Sequence, residues 1–207
     1  MVFVGLGCEN NHLQGIIDYL EPYKRDNIFY FNCQEVENEV EYATNLIKDL
    51  ADKAKKLQRE DVSINELCIG LKCGGSDGFS GLTANPLVGK ISDTVVDYGG
   101  TSILTEVPEM FGAEQLLMNK CESKEVFEKY KKMIVDFKNY YISQGFPVYE
   151  NPSPGNKKGG ITTLEEKSLG CVEKAGKTAI VDVLDYGDML TKNGLSLLNG
   201  PGNDIVA

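Results

Sequence analysis

The sequence contains a single histidine, His12, and this scarcity narrows the chemistry open to the chain. A Ser-His-Asp or Cys-His mechanism would have to use His12, because no other imidazole is present. A zinc site built from several histidines is excluded for the same reason. His12 lies early in a predicted helix, where a solvated side chain is the common case, so we do not expect it to be catalytic.

Basic residues are in the minority, and long apolar runs are missing. The chain has 31 acidic against 21 basic residues, a net charge of −10, which disfavours binding to nucleic-acid phosphates. No apolar run approaches the roughly 20 residues that span a bilayer. The first residues also lack the charged start and long apolar stretch of a signal peptide. We therefore expect a cytoplasmic protein with neither nucleic acid nor membrane as a partner.

Cysteines are too few for a disulfide scaffold, since the chain has six and none forms a CxxC pair. Free thiols are expected in a reducing compartment. Packing as small buried hydrophobic groups is the simplest role for Cys33, Cys68 and Cys121. The other three stand in glycine-rich turns or at a helix end, where a thiol can face a cleft: Cys8, Cys73 and Cys171.

Short apolar runs alternate with amphipathic helical patterns along the 207 residues. Predicted strands are 2–6, 28–32, 67–71, 101–105, 146–149, 179–184 and 195–198. Predicted helices are 11–20, 36–57, 86–98, 113–118, 124–143 and 162–172. This alternation predicts an α/β fold with a mostly parallel, Rossmann-like sheet and helices on both faces. One domain over residues 1–207 is the expected organisation.

Polar motifs follow several predicted strands directly. They are Gly7-Cys8-Glu9, the glycine-rich segment 70–81, Thr105-Glu106-Val107-Pro108-Glu109 and Gly200-Pro201-Gly202-Asn203-Asp204. Ligands of parallel sheets bind at the carboxyl ends of the strands. We therefore expect one shared cleft, lined by Cys8, Cys73, Glu106 and Asn203.

The glycine-rich segment after the third strand has two interpretations. Glycine turns after a strand can hold phosphates on backbone amides, which would indicate a nucleotide site. The segment lacks both the GxGxxG and the GxxxxGK[ST] spacing, however. We therefore favour a carboxylate held by backbone amides and by Ser76 or Ser80.

A polar loop rich in proline and glycine covers residues 151–160 and leads to paired carboxylates and a thiol. Proline and glycine give such a loop a defined shape. Lys157 or Lys158 could clamp a substrate carboxylate or act as a base, unless both are simply solvated. Glu165 and Glu166 could act as acid and base, but a helix N-terminus favours carboxylates through its dipole alone, and we prefer that interpretation.

These separated motifs occur in the same order and context as in the altronate and galactarate dehydratases, and the chain resembles that family from residue 2 to 207. The resemblance implies a hydro-lyase that removes the proton beside a sugar-acid carboxylate and expels the neighbouring hydroxyl, giving a 2-keto-3-deoxy acid. D-altronate is the preferred substrate. Galactarate, a sulfolactate sulfo-lyase-like reaction, or a non-catalytic sugar-acid-binding or dimerisation role are the alternatives.

The resemblance also implies a metal, because the family depends on iron under reducing conditions. Fe²⁺ is expected, as a single ion or in an iron–sulfur cluster, with Mn²⁺ or another divalent ion as the alternative. Thiols suit iron, whereas carboxylates suit harder ions. We prefer ligation by Cys8, Cys73 and Cys171. The alternative ligands are carboxylates: Glu9, Asp77, Glu106 or Glu109.

The resemblance and the motifs together give a set of expected site residues. The expected catalytic residues are Lys157, Lys158, Glu106 and Glu109. The expected substrate-binding residues are Lys72, Gly74, Gly75, Ser76, Asp77, Asn156, Asn203 and Asp204. Family members extend beyond both ends of the matched region, so we expect a fragment whose activity in isolation is open, and for which a homodimer is one possible assembly.

Overall fold

The computed structural model of the protein describes residues 1–10, 12–23 and 26–202. The chain folds as two compact units, Met1–Asp61 and Val62–Ala207. In the first unit, β1 (Val2–Gly5) pairs in parallel with β2 (Phe29–Asn32). Two helices complete it, α1 (Leu13–Leu20) and α2 (Glu39–Ala54).

The second unit is built on four parallel strands in the order β3-β4-β6-β5. The strands are β3 (Cys68–Leu71), β4 (Thr101–Leu104), β5 (Ile180–Leu184) and β6 (Gly194–Leu198). The helices are α3 (Ala84–Asp97), α4 (Glu114–Met118), α5 (Lys124–Ser143), α6 (Pro154–Lys158) and α7 (Leu164–Val172). β5 and β6 are parallel neighbours joined by residues 185–193, which form no helix. This is an unusual connection, because parallel strands normally need a helical crossover.

The core of the second unit lies between the sheet and α5. The Ser123 hydroxyl accepts a hydrogen bond from the Val126 amide and so starts the helix. Val126, Tyr130, Met133 and Ile134 are buried, and their spacing places them on one face. They pack in one cluster with residues of β4 and β6, which fixes the sheet beneath the site described below.

The α/β class with parallel strands is confirmed, although the predicted continuous sheet is divided into two. The predicted strand at 146–149 is wrong, because these residues pair with no strand and Phe146 and Tyr149 are exposed. Residues 154–158, expected as loop, form the short helix α6. None of the helices in the described part of the chain combines the length and apolar character of a membrane span. A single catalytic domain over 1–207 stays a prediction.

A buried carboxylate on α3 holds the segment that follows α7. Asp93 Oδ1 accepts hydrogen bonds from the Lys177 amide (2.7 Å) and from the Thr178 amide (3.0 Å) and hydroxyl (2.8 Å). Lys120 Nζ donates to the carbonyls of Ala175 (2.8 Å) and Gly176 (2.7 Å). Burial raises the pKa of Asp93, but the hydrogen bonds outweigh it and leave that pKa below its usual value. The segment after α7 is thereby tied to the fold.

Replacing Asp93 by alanine is expected to lower the free energy of unfolding by about 2–3 kcal/mol at neutral pH, because three donors lose their charged acceptor. The folded-state pKa is lowered. The contribution is therefore fully present above the unfolded pKa of about 3.9 and is lost as the pH falls through the lower folded value. Urea unfolding at neutral and acidic pH measures it. The exposed Asp97→Ala on the same helix is the control, and an unchanged difference at acidic pH would contradict the assignment.

Candidate active site

Two cysteines distant in sequence lie together at the carboxyl end of β3. Cys73 follows the strand, and Cys171 is buried in the last turn of α7. The Ser76 hydroxyl lies 2.9 Å from Cys73 Sγ and 4.0 Å from Cys171 Sγ. Strand β3 and helix α7 therefore place a pair of thiols around one serine.

The two thiols differ in their acidity. Hydrogen bonding with Cys171 lowers the pKa of Cys73 well below its usual value, and the Ser76 hydroxyl adds to this although burial opposes it. The same contact, followed by burial, raises the pKa of Cys171. Cys73 is thus the more acidic thiol of the pair.

Glu106 is a buried carboxylate held in an unusual backbone conformation. It is the one non-glycine residue with a positive φ, +68°, among those that the structure describes. Such a conformation costs about 1–3 kcal/mol and is concentrated at functional sites. Its carboxylate accepts a hydrogen bond from the Cys73 amide. Burial raises the pKa of Glu106, and that hydrogen bond offsets the rise only in part.

Lys167 is a buried lysine whose ammonium donors are all engaged by other residues of the chain. It lies 3.0 Å from Glu109 Oε1 and donates to Asn151 Oδ1 (3.0 Å) and Asn156 Oδ1 (2.9 Å). An ammonium has three N–H donors, so none remains for a ligand. The other oxygen of Glu109 lies 3.5 Å from Cys171 Sγ. Lys167 therefore positions Glu109 beside the thiols.

The loop rich in proline and glycine is docked onto the glycine-rich turn after β3. Asn156 Nδ2 donates to the Ser76 carbonyl at 2.9 Å, and the Gly78 amide donates to the Gly159 carbonyl at 2.8 Å. Asn156 also forms a reciprocal capping pair with Ser153 at the start of α6. The loop is thus an ordered wall of the site, as its composition predicts.

A small cavity adjoins Glu106, Glu109 and Cys171, and Thr105 and Lys174 also line it. Lys174 is only 4% exposed, and its positive charge acts to lower the pKa of Cys73 and of Glu106. The Thr105 hydroxyl is buried and lacks a hydrogen-bond partner among residues 1–10, 12–23 and 26–202. Both groups are therefore candidates to act on a reacting molecule.

The structure brings six of the sequence-predicted residues together: Cys73, Ser76, Glu106, Glu109, Asn156 and Cys171. Gly74 and Gly75 are exposed in the adjoining turn, and Lys72 is half-buried. Asp77 accepts hydrogen bonds from Phe79 and Ser80, so it shapes that turn.

The remaining predicted residues lie elsewhere. Lys157 and Lys158 are exposed on α6, and Glu165 and Glu166 are exposed at the start of α7. Cys8 is exposed in the first unit, and its amide donates to Glu9. Two further predicted residues, Asn203 and Asp204, lie outside the described residues. The roles assigned to all of these stay predictions.

Sequence reasoning missed Thr105 and the two buried lysines. A signal for the lysines was present, because Lys167 and Lys174 stand four residues before and three residues after Cys171. Residues at these spacings share one face of a helix. Because Cys171 was expected to face the site, this spacing indicated that Lys167 and Lys174 face it as well.

The predicted iron site is present in part. Cys73 and Cys171 lie together, and thiols are suitable ligands for iron. Cys8, the third predicted ligand, belongs to the first unit. Within the described ranges, no group of three His, Cys, Asp or Glu side chains is arranged to hold a metal ion. The described residues thus provide two thiols but no complete set of ligands.

Lys167→Met is expected to lower the free energy of unfolding by about 3 kcal/mol, because Glu109 would stay buried without its cation. Lys157→Met, exposed on α6, is the control and should change stability by less than about 0.5 kcal/mol. Adding Glu109→Gln to Lys167→Met should recover part of the loss. Urea unfolding measures all three, and equal effects of the two lysine variants would contradict the role of Lys167.

Comparison with known proteins finds altronate and galactarate dehydratases among the relatives of this chain. The family model described as D-galactarate/Altronate dehydratase, C-terminal, matches residues 64–207. The chain is 52% identical to an altronate dehydratase of Bacillus subtilis (strain 168) and 51% identical to one of Escherichia coli (strain K12). It is 35% identical to a galactarate dehydratase (L-threo-forming) of Escherichia coli (strain K12).

These alignments take up 100% of the chain but only 41–42% of each relative. The chain therefore spans about two fifths of the length of the curated relatives it matches. The family model covers more than half of the chain and nearly all of its second unit. The chain belongs to the D-galactarate/altronate dehydratase family.

Proposed function

We propose that this chain is part of an enzyme that dehydrates a sugar acid, with D-altronate as the preferred substrate, to a 2-keto-3-deoxy acid. The observation that carries the proposal is the cluster of Glu106, Glu109, Cys73 and Cys171 at the carboxyl ends of β3 and β4. The relatives named altronate dehydratase are 51–52% identical, against 35% for the galactarate dehydratase, which favours altronate. The cytoplasmic location and the homodimer also stay predictions.

The proposed reaction removes a proton from C2, beside the carboxylate, and releases the C3 hydroxyl as water. The resulting enol becomes the 2-keto acid by moving its hydroxyl proton to C3. No external oxidant or reductant is needed. The site must supply a base for the C2 proton and positive charge for the enediolate that forms.

Glu106 is the proposed base. Its carboxylate is buried, and the Cys73 amide fixes its orientation. A carboxylate whose pKa is raised by burial is a stronger base than an exposed one. The side chain is therefore both oriented and suited to accept a carbon-bound proton.

Lys174 is the proposed source of positive charge. It lines the same cavity as Glu106 and Glu109. Positive charge in a water-poor site is worth more than in solvent. Lys72, Lys157 and Lys158 remain proposed partners of the substrate carboxylate.

Iron is also part of the proposal, with Cys73 and Cys171 as two of its ligands and Cys8 as the predicted third. A bound ferrous ion, or another divalent ion such as Mn²⁺, would supply Lewis acidity toward the carboxylate and the departing hydroxyl. Ligation by Asp77, Glu106 or Glu109 is the alternative.

Glu106→Gln is expected to reduce kcat by about 10²- to 10⁴-fold, because glutamine keeps the size and the acceptor for the Cys73 amide but cannot take a proton. Activity of the unchanged protein should fall as the pH drops through the raised pKa of Glu106, since the base must be ionised. The assay follows 2-keto-3-deoxy acid formation by the full-length protein, anaerobically with ferrous iron. Glu128→Gln, exposed on α5, is the control. A Glu106→Gln variant with an unchanged kcat would refute the role of Glu106 as the base.

Cys8→Ser, Cys73→Ser and Cys171→Ser are each expected to abolish stoichiometric iron binding in the full-length protein, whereas Cys121→Ser should keep it. Anaerobic reconstitution is required, because exposed thiolates oxidise readily. Iron content is measured per polypeptide after desalting. Stoichiometric iron in all three variants would contradict thiol ligation and favour the carboxylate alternative.

A further inference from the structure

An open cleft of about 310 Å³ in the second unit adjoins the candidate active site. Small-molecule sites typically measure roughly 300–1,000 Å³. Glu109 lines the cleft and also the small cavity beside Glu106. The cleft therefore borders the site at Glu109.

The lining of the cleft has a distinct chemistry. Phe111, Tyr141 and Phe146 provide aromatic surface, and Asn151 and Ser153 provide polar groups. Glu109 and Glu150 are the charged residues of the lining, which includes no lysine or arginine among the described residues. Such a surface suits a neutral molecule with hydroxyl groups, which can donate hydrogen bonds to oxygens while its C–H groups pack on rings.

The two carboxylates of the cleft are not equivalent. Glu109 is paired with the buried Lys167 at 3.0 Å, so its charge is largely compensated. Glu150 is exposed, and no ion pair to it is found within the part of the chain that the structure describes. A second carboxylate arriving in this cleft would thus meet negative charge without a compensating cation.

The proposed chemistry determines which end of a sugar acid enters the cleft. The proton that Glu106 removes is on C2, next to the C1 carboxylate, so C1 and C2 must lie at the buried cluster. Carbons 4 to 6 then extend along Glu109 into the cleft. In an aldonic acid such as altronate, C6 carries a neutral hydroxyl, whereas in an aldaric acid such as galactarate it carries a second carboxylate.

We propose that this cleft binds the hydroxylated tail of the substrate and that Glu150 selects aldonic acids over aldaric acids by repelling a carboxylate at C6. The inference rests on the proposed function and adds a residue that determines specificity at the same site. Glu150 acts on the remote end of the substrate. Its replacement should therefore change the ratio of kcat/KM between the two substrates.

The test measures kcat/KM for altronate and galactarate with the full-length protein and its Glu150→Arg and Glu150→Gln variants. The ratio of galactarate to altronate should rise about tenfold in Glu150→Arg and about threefold in Glu150→Gln, and both rises should shrink at high salt. Glu128→Arg makes the same charge change on α5, outside the cleft lining, and should leave the ratio unchanged.

Two failures are distinguishable. If altronate is still dehydrated but the ratio stays the same in both Glu150 variants, the inference is wrong and the proposed function stands. If the unchanged protein dehydrates neither acid under anaerobic conditions with iron, the proposed function is wrong and the inference falls with it. Should Glu150→Arg fail to fold, the isosteric Glu150→Gln decides the outcome alone.

Discussion

The arrangement of the site depends on the hydrogen bonds of one buried ammonium group, that of Lys167. Burying a charged group is costly unless its donors are paired. Its partners are Glu109, Asn151 and Asn156, which belong to the segment after β4 and to the loop before α7. Removing one partner would leave a charge unpaired, so the ammonium requires all of these segments to be in place together. Through Asn156, the same network reaches the turn after β3.

The charge distribution of the site differs from that of the whole chain. The protein has a net charge of −10. The cluster, in contrast, contains both signs of charge: two lysines, Lys167 and Lys174, beside Glu106, Glu109 and the acidic thiol of Cys73. These groups interact more strongly than exposed charges because they are buried or half-buried. Glu106 also keeps a left-handed backbone, which costs stability. Such a cost is typical of residues retained for chemistry rather than for folding.

The division into two units agrees with the family comparison. The family model begins at residue 64, close to the start of the second unit, and that unit contains the described cluster. The first unit carries Gly7-Cys8-Glu9, where the Glu9 carboxylate accepts hydrogen bonds from the amides of Leu6, Gly7 and Cys8. These bonds give the first motif a defined local shape. The identity to both altronate dehydratases extends over this unit too, because their alignments cover the whole chain.

The sequence by itself determined the class of the fold and the position of most elements. Helix α5 was predicted with the bounds it has, because its apolar spacing and the capping serine Ser123 are local signals. The convergence of Cys73 and Glu106 followed from a topological rule, since parallel strands β3 and β4 end at the same edge of the sheet. Both predictions depended only on residues close in sequence or on the shared direction of neighbouring strands, which the sequence pattern indicates.

Tertiary structure alone decided three other features. β6 lies between β4 and β5, an order that depends on packing across the sheet and not on local pattern. Residues 146–149 have the composition of a strand but find no partner edge. Lys167 and Lys174 are buried while Lys157 and Lys158 are exposed, although all four are lysines in neighbouring segments. The burial of Lys167 depends on acceptors supplied by Glu109, Asn151 and Asn156, and only the folded chain brings these acceptors within reach.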